Sequence, residues 1–411
     1  MRDLSKFMVV AALGLAWPQA MFAQDAAQPV AIVHGTLITI THGTIENGTL
    51  VMTGGRIVAV GGPGTAIPKG AKIIDAKGGT VYPGLFDTEN AIGLFEADSE
   101  VRAAATNDPA GTPVPWAYIA DAVHVTDSVA IERYNGITNS IVAAGTQGPL
   151  PGHSASIQLV EDQAKLVIDR DAGLVIDFEG RRDVYPTTVF GIVGYVRQLL
   201  TRAHELAAGA VRRDDDATAE AFIPYLGGKK RIIARAVNDT EVGDALDLAH
   251  AFDLNLVLVG LNQIDTEIDR VAASGFPVIL GRLLDDPQAG RRYDYNFRLP
   301  ARLAAKGIKV SIGTLGEVAG GPRNLPYAAG VSVAFGFTHD QAMRAITLGP
   351  AEAFGLDGQL GSLDIGKVGN VVIADGDPLD VRTQVVQVFI QGAPVSMTNR
   401  QTRLRDKYWV K

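Results

Sequence analysis

Apolar and polar positions divide the chain into three textures. From Ala31 to Thr80, short β-branched runs alternate with glycine turns, as in Ala-Ile-Val-His-Gly and Gly-Thr-Leu-Val-Met-Thr-Gly-Gly-Arg-Ile-Val-Ala-Val-Gly, a pattern that predicts antiparallel strands in hairpins. The texture returns at Gly361–Asp375 and Val385–Gly392. Two distant β segments of one kind predict a small β-sandwich domain built from both ends of the chain. Between them, buried-type strands at Val81–Asp87, Ile137–Ala144, Leu174–Phe178, Ile232–Ala236, Leu256–Gly260, Pro277–Gly281 and Lys309–Gly313 alternate with helical patterns. Val242, Ala245, Leu246 and Ala249 carry the three- and four-residue spacing of a helix, as do Leu299, Leu303 and Ala304. Strand–helix alternation implies an α/β fold with a parallel sheet, and the number of units fits a (β/α)8 TIM-like barrel. A doubly wound sheet is the alternative. No Gly-x-Gly-x-x-Gly follows the first strand, which counts against a dinucleotide fold.

The ends and loops add a domain plan. Arg2 and Lys6 precede an apolar run from Phe7 to Trp17 and a small-residue stretch to Ala23, the pattern of a secretory signal peptide. The run is too short to cross a bilayer core of about 30 Å, so no stable membrane anchor is expected, and the mature chain is expected to be secreted or periplasmic. The plan is then 1–23 signal peptide, 24–80 with 360–411 as the composite β domain, and 81–359 as the barrel. Residues Glu96 to Pro115 show no period and read as a long insertion after the first barrel strand. The absence of cysteine excludes disulfides and thiolate chemistry. A net charge of −8 gives no global attraction to nucleic acid. Basic clusters such as Arg212-Arg213 and Lys229-Lys230-Arg231 have acidic neighbours and read as solvated surface.

Four phrases then stand out in order. They are Pro83-Gly-Leu-Phe-Asp87; Ile232–Asn255; Gly313-Thr-Leu followed by Gly321–Ala329; and Ala342–Gly355 leading into Gly361-Ser-Leu-Asp-Ile-Gly-Lys-Val-Gly-Asn-Val-Val-Ile-Ala-Asp-Gly-Asp-Pro378. Together they resemble the amidohydrolase superfamily, most closely its imidazolonepropionase-like branch, over nearly the whole mature chain. The resemblance implies a distorted barrel, a β-sandwich from the termini, and zinc or another divalent ion that activates water against a carbon–nitrogen bond of an amide or ring. Such chemistry needs imidazoles and carboxylates at fixed strand ends, because the ion must lower the pKa of water to about 7.

At the positions that match the family's ligands the residues are different. The two histidines of the first strand correspond to Glu89 and Ala91, the next two to Arg235 and Gly260, and the aspartate of Gly-Thr-Asp to Leu315. No lysine lies between Ile168 and Gly228 to serve as the bridging carboxylated lysine. Of the seven histidines, His34, His42, His204, His250 and His339 sit in poor contexts for ligands, which leaves His124 and His153; His153, in a Gly-Pro turn, is the one expected to face a barrel mouth. Pocket candidates are therefore Glu89, Glu96, His153, Asp177, Arg235, Arg282, Arg323 and Asn324. An ion pair between Arg235 and Glu89 would fill part of the space of a metal. An all-oxygen site built on Asp87, Glu89, Glu96 and Asp177 or Glu179 for a hard cation is the competing reading. No Gly-x-Ser-x-Gly or cysteine nucleophile is present. The expectation is an amidohydrolase-type protein with impaired or absent hydrolysis and no cofactor. The alternative is a non-catalytic homologue that binds a small molecule, forms a homo-oligomer, or pairs with a metal-bearing paralogue.

Overall fold

The computed structural model describes residues 28–95, 113–143, 145, 148–181, 184–210, 216–315 and 321–409. The expected signal peptide and Glu96 lie outside these residues. Among the described residues five strands come first: β1 Val30–Ile38, β2 Thr44–Thr53, β3 Arg56–Gly61, β4 Lys72–Asp75 and β5 Thr80–Pro83. Eight follow as β6 Leu85–Asn90, β7 Ile137–Val142, β8 Gly152–Gln158, β9 Val167–Asp177, β10 Arg231–Asn238, β11 Asn255–Gln263, β12 Val278–Gly281 and β13 Val310–Gly313. The C-terminal strands are β14 Val371–Ala374, β15 Val385–Ile390 and β16 Ala393–Pro394. Among the described residues no helix is long and apolar enough to cross a membrane.

The strands from the two ends form one sheet, ordered β16-β15-β14-β5-β1-β2-β3, with β4 also on β1. Its joint is β14 against β5, antiparallel, with Val372 opposite Tyr82. The segment Val81–Asp87, expected as one strand, is two. β5 belongs to the terminal sheet, and β6 opens the barrel sheet beyond Gly84. That glycine marks a close approach: a Cβ placed there would stand 2.1 Å from Thr138 Oγ1, so no larger residue fits.

The second sheet runs β13-β12-β11-β10-β9-β8-β7-β6, an almost closed barrel. Closure between its first and last strands is made by a side chain. Asp87 accepts hydrogen bonds from the Thr314 backbone N–H at 2.9 Å and its hydroxyl at 2.6 Å. Asn90 Nδ2 donates a third at 2.6 Å. Asp87 is completely buried, and burial pushes its carboxyl up to about 6 although Thr314 and Asn90 pull it down. β8, the strand that apolar patterning does not reveal, runs antiparallel to both β7 and β9, so the barrel departs locally from the all-parallel expectation. Its sequence Gly-His-Ser-Ala-Ser-Ile-Gln is buried throughout yet mostly polar, which hides it from a search for hydrophobic runs.

Period-two alternation sorts the parallel strands into two packing layers. Val175, Ile233, Val257, Val259 and Ile279 pack with Phe86, Ile141, Ala351 and Phe354 in one cluster, within the barrel. Leu174, Ile232, Ala234, Leu256, Leu258, Val278 and Leu280 pack outward with helix residues Val242, Leu246, Leu299 and Leu303. The helix Asp239–Phe252 starts where Asn238 accepts from the backbone N–H groups of Thr240 and Glu241. Continuing the inward series by two residues places Asp177 after Val175 and Arg235 after Ile233, both at the strand ends.

Candidate functional site

The ends of β6, β9, β10, β11, β12 and the segment after β13 surround a cleft of about 670 Å³. Several of these strand ends turn through left-handed backbone at a non-glycine residue: Glu89 at φ 57°, Leu261 at 53°, Arg282 at 53° and Leu315 at 44°. Such conformations cost on the order of 1 kcal/mol each and persist only where tertiary contacts hold them. Glu89 is held firmly. The Nε and Nη2 of Arg235 donate to its Oε2 at 2.9 and 2.8 Å, and the Ser154 hydroxyl donates to Oε1 at 3.1 Å. Arg235 also donates from Nη1 to the Gly145 carbonyl at 3.1 Å.

Arg235 and Asp177 are direct partners in the parallel pairing of β10 with β9. The nearest approach between their charged groups is Nη1 to Oδ2 at 3.8 Å, longer than a hydrogen bond. Asp177 Oδ1 accepts from the Glu179 backbone N–H at 3.0 Å. Burial pushes the Asp177 carboxyl up to about 6, with Arg235 pulling in the opposite direction. For Arg235 itself, burial opposes the charge, but Glu89 and Asp177 outweigh it and hold the guanidinium protonated.

The wall also holds Ala91, Gly260 and Leu315, which the resemblance matches to family ligand positions, with Glu179, Arg181, Asn262, Gln263, Arg282, Asp285, Asp286 and Asn296. Leu315 packs against the apolar cluster inside the barrel, and a Cβ on Gly281 would stand 2.0 Å from its Cγ. Arg282 is turned to Asp285, Nε to Oδ2 at 2.6 Å. Among the described residues, no three His, Cys, Asp or Glu side chains converge on a point that would hold a metal ion. Both oxygens of Glu89 already accept hydrogen bonds, and a fixed positive charge stands beside the two buried carboxylates. Among the described residues the donor set does not fit the divalent ion that the family resemblance implies.

Of the sequence candidates, Glu89, Asp177, Arg235 and Arg282 therefore share the cleft. His153 lies elsewhere. Its Nε2 meets the Pro115 carbonyl at 2.7 Å, its Nδ1 meets Asp171 at 2.8 Å and the Tyr225 hydroxyl at 3.0 Å, and its ring stacks on Tyr118 with centroids 4.1 Å apart. Lys230 donates to the other oxygen of Asp171 at 2.7 Å. Burial opposes ionisation of Asp171, but the bonds from His153 and Lys230 hold its carboxyl well below the usual range. This buried knot ties residues 115–118 to β8 and faces away from the cleft wall. Arg323 and Asn324 line a separate groove with Tyr134, Tyr327 and Arg405. Sequence reading missed Ser154, Asn262, Gln263 and Asn296. Ser154 follows His153 on the unrecognised strand, and the amide side chains end β11 or sit on a later helix, where no motif marks them.

Residues 229–398 match the sequence model of the family described as "Amidohydrolase family". A protein of Hapsidospora irregularis described as "Amidohydrolase tasK" is 22% identical over 378 residues, which is 80% of this chain; the chain spans 38% of that protein's length. Among solved structures, an amidohydrolase from Thermotoga maritima MSB8 superposes with a TM-score of 0.79 at 22% identity, covering 90% of this chain and 100% of the other. A prolidase complexed with N-methylphosphonate-L-proline gives 0.55 at 17% identity, over 90% of this chain and 100% of its own. An adenosine deaminase from Xanthomonas campestris with bound zinc gives 0.51 at 15% identity, over 92% and 96%. At these identities the structural likeness establishes the fold.

Proposed function

Because the chain belongs to the amidohydrolase superfamily, we propose that it keeps the family's barrel mouth as a binding site for a small polar molecule and has given up hydrolysis of carbon–nitrogen bonds by metal-activated water. Fold alone is a weak warrant, since function resides in the site. What supports the reading is one observation: the Arg235 guanidinium lies 2.8 Å from Glu89 and 3.8 Å from Asp177. A cation of fixed charge that neither exchanges nor acidifies water stands among the carboxylates. The cleft volume, about 670 Å³, falls within the range of small-molecule sites.

Elemental analysis of the purified protein, dialysed without chelator, tests this directly. Sub-stoichiometric metal is expected, with no rise in melting temperature when Zn²⁺, Mn²⁺ or Co²⁺ is added. A ligand of the native state must stabilise it, so one equivalent of bound metal with a matching rise would overturn the reading. So would metal-dependent turnover of a cyclic amide or dipeptide.

A further inference from the structure

The mouth holds two buried carboxylates and one part-buried guanidinium. Glu89 is 2% exposed and Asp177 3%, and Arg235 serves the first far better than the second. Charge is poorly solvated at such positions, so an unbalanced anion there is costly. The imbalance falls on Asp177. Its Oδ2, among the described residues, has only the long Arg235 contact, and Asp177 lines the cleft.

Among the described residues no other cation of the wall makes an ion pair with Asp177, although Arg181 acts on it at longer range. Arg181 pairs with Glu179 at 3.2 Å, and Arg282 with Asp285 at 2.6 Å. Asp286 adds a further negative charge at the rim. Asn262 and Asn296 contribute amide oxygens to the same wall, each directing an amide N–H to a backbone carbonyl, Gly281 at 2.7 Å and Asp285 at 3.1 Å. The wall is thus rich in acceptors and short of one positive charge.

We propose that the cleft binds a small organic monocation bearing N–H donors, a primary ammonium or a guanidinium, with its charged head against Asp177 Oδ2. This rests on reading the mouth as a non-hydrolytic binding site. Such a head balances two carboxylates with two cations and gives Asp177 Oδ2 a direct hydrogen bond, and charge-assisted bonds of this kind are the stronger ones. The cleft volume accommodates an organic body behind the head.

Binding then requires Asp177 ionised. The charged groups facing it are Arg235 from β10, Glu89 from β6, and Glu179 and Arg181 from its own loop, and none of these is a histidine that would titrate in its place. With burial holding the Asp177 carboxyl at about 6, affinity falls roughly tenfold for each pH unit below that value.

The experiment is isothermal titration of the full chain with butylammonium and butylguanidinium, against butyrate, butyramide and tetramethylammonium, at pH 8 and pH 5. Saturable binding is expected for the two N–H cations, about tenfold weaker at pH 5. Asp177→Asn should lose the binding at pH 8 while the free protein melts at the same or a higher temperature, which a merely structural role would not allow. Equal binding of butyrate or butyramide, equal binding of tetramethylammonium, retention of binding by the variant, or no binding by either N–H cation overturns the proposal. Zinc-dependent turnover would instead sink the non-hydrolytic reading and leaves the cation titration to be judged by itself.

Discussion

Arg235 places two of its N–H groups on a single oxygen of Glu89, at 2.9 and 2.8 Å, across 146 residues of sequence. Removing the guanidinium by Arg235→Ala leaves Glu89 buried with Ser154 as its remaining donor and Asp177 without its nearest cation. The expected loss is about 3–5 kcal/mol, the range for breaking one side of a buried pair. Arg235→Met combined with Glu89→Gln should cost much less than the sum of the single changes, because no orphaned charge remains. Urea unfolding of the four proteins gives the coupling, and additive losses would contradict the pairing.

Asp177 should impose a pH dependence on stability. Its folded pKa is raised from 3.8 to about 6, so its contribution is fully present below the unfolded pKa and is lost as pH rises through the folded one. Relative to wild type, Asp177→Asn is therefore expected to gain on the order of 1–3 kcal/mol between pH 4 and pH 8. Parallel denaturation curves at several pH values check the sign, and a difference that is flat with pH would show the carboxyl to be unperturbed.

Gly281→Ala should be destabilising by about 1–3 kcal/mol through overpacking, since the added Cβ meets Leu315 Cγ at 2.0 Å. Leu315→Ala in the same chain should recover part of the loss, because it removes the Cγ and Cδ1 atoms that clash and leaves only its Cβ, at 2.8 Å. Thermal melts of both variants decide it, and a neutral Gly281→Ala would show that Leu315 is free to move aside.

His153 is expected to be a structural tie whose loss spares the cleft. His153→Phe keeps a ring against Tyr118 but abandons the bonds to Pro115 and Asp171, at an expected cost of about 1–3 kcal/mol. Binding at the cleft should be unchanged within twofold when measured on the folded fraction. A large change in affinity with unaltered stability would place His153 in the site.

Local pattern made much of this protein legible. Continuous apolar runs mark the parallel strands because both faces of each are buried, and a strand of period two assigns Asp177 and Arg235 to the face shared with Val175 and Ile233. The β8 strand was not legible, because a buried segment of serine, histidine and glutamine satisfies its polar groups through neighbours that sequence does not display. The division at Gly84 was equally hidden, since Val81–Asp87 is apolar across both sheets and only the approach of Thr138 separates them.

The chain by itself carried the resemblance by which Glu89, Ala91, Arg235, Gly260 and Leu315 are matched to the family's ligand positions, since a motif is compared residue by residue and needs no coordinates. It also determined the α/β class, because strand and helix periodicities are local. Tertiary structure alone decided that Arg235 favours Glu89 over its own register partner Asp177, that Ser154 from an antiparallel strand completes the grip on Glu89, and that Asp177 keeps only a long contact to the guanidinium. Those outcomes depend on differences of about an ångström between groups brought together by barrel closure, and hydrogen bonding and charge balance change sharply over that distance.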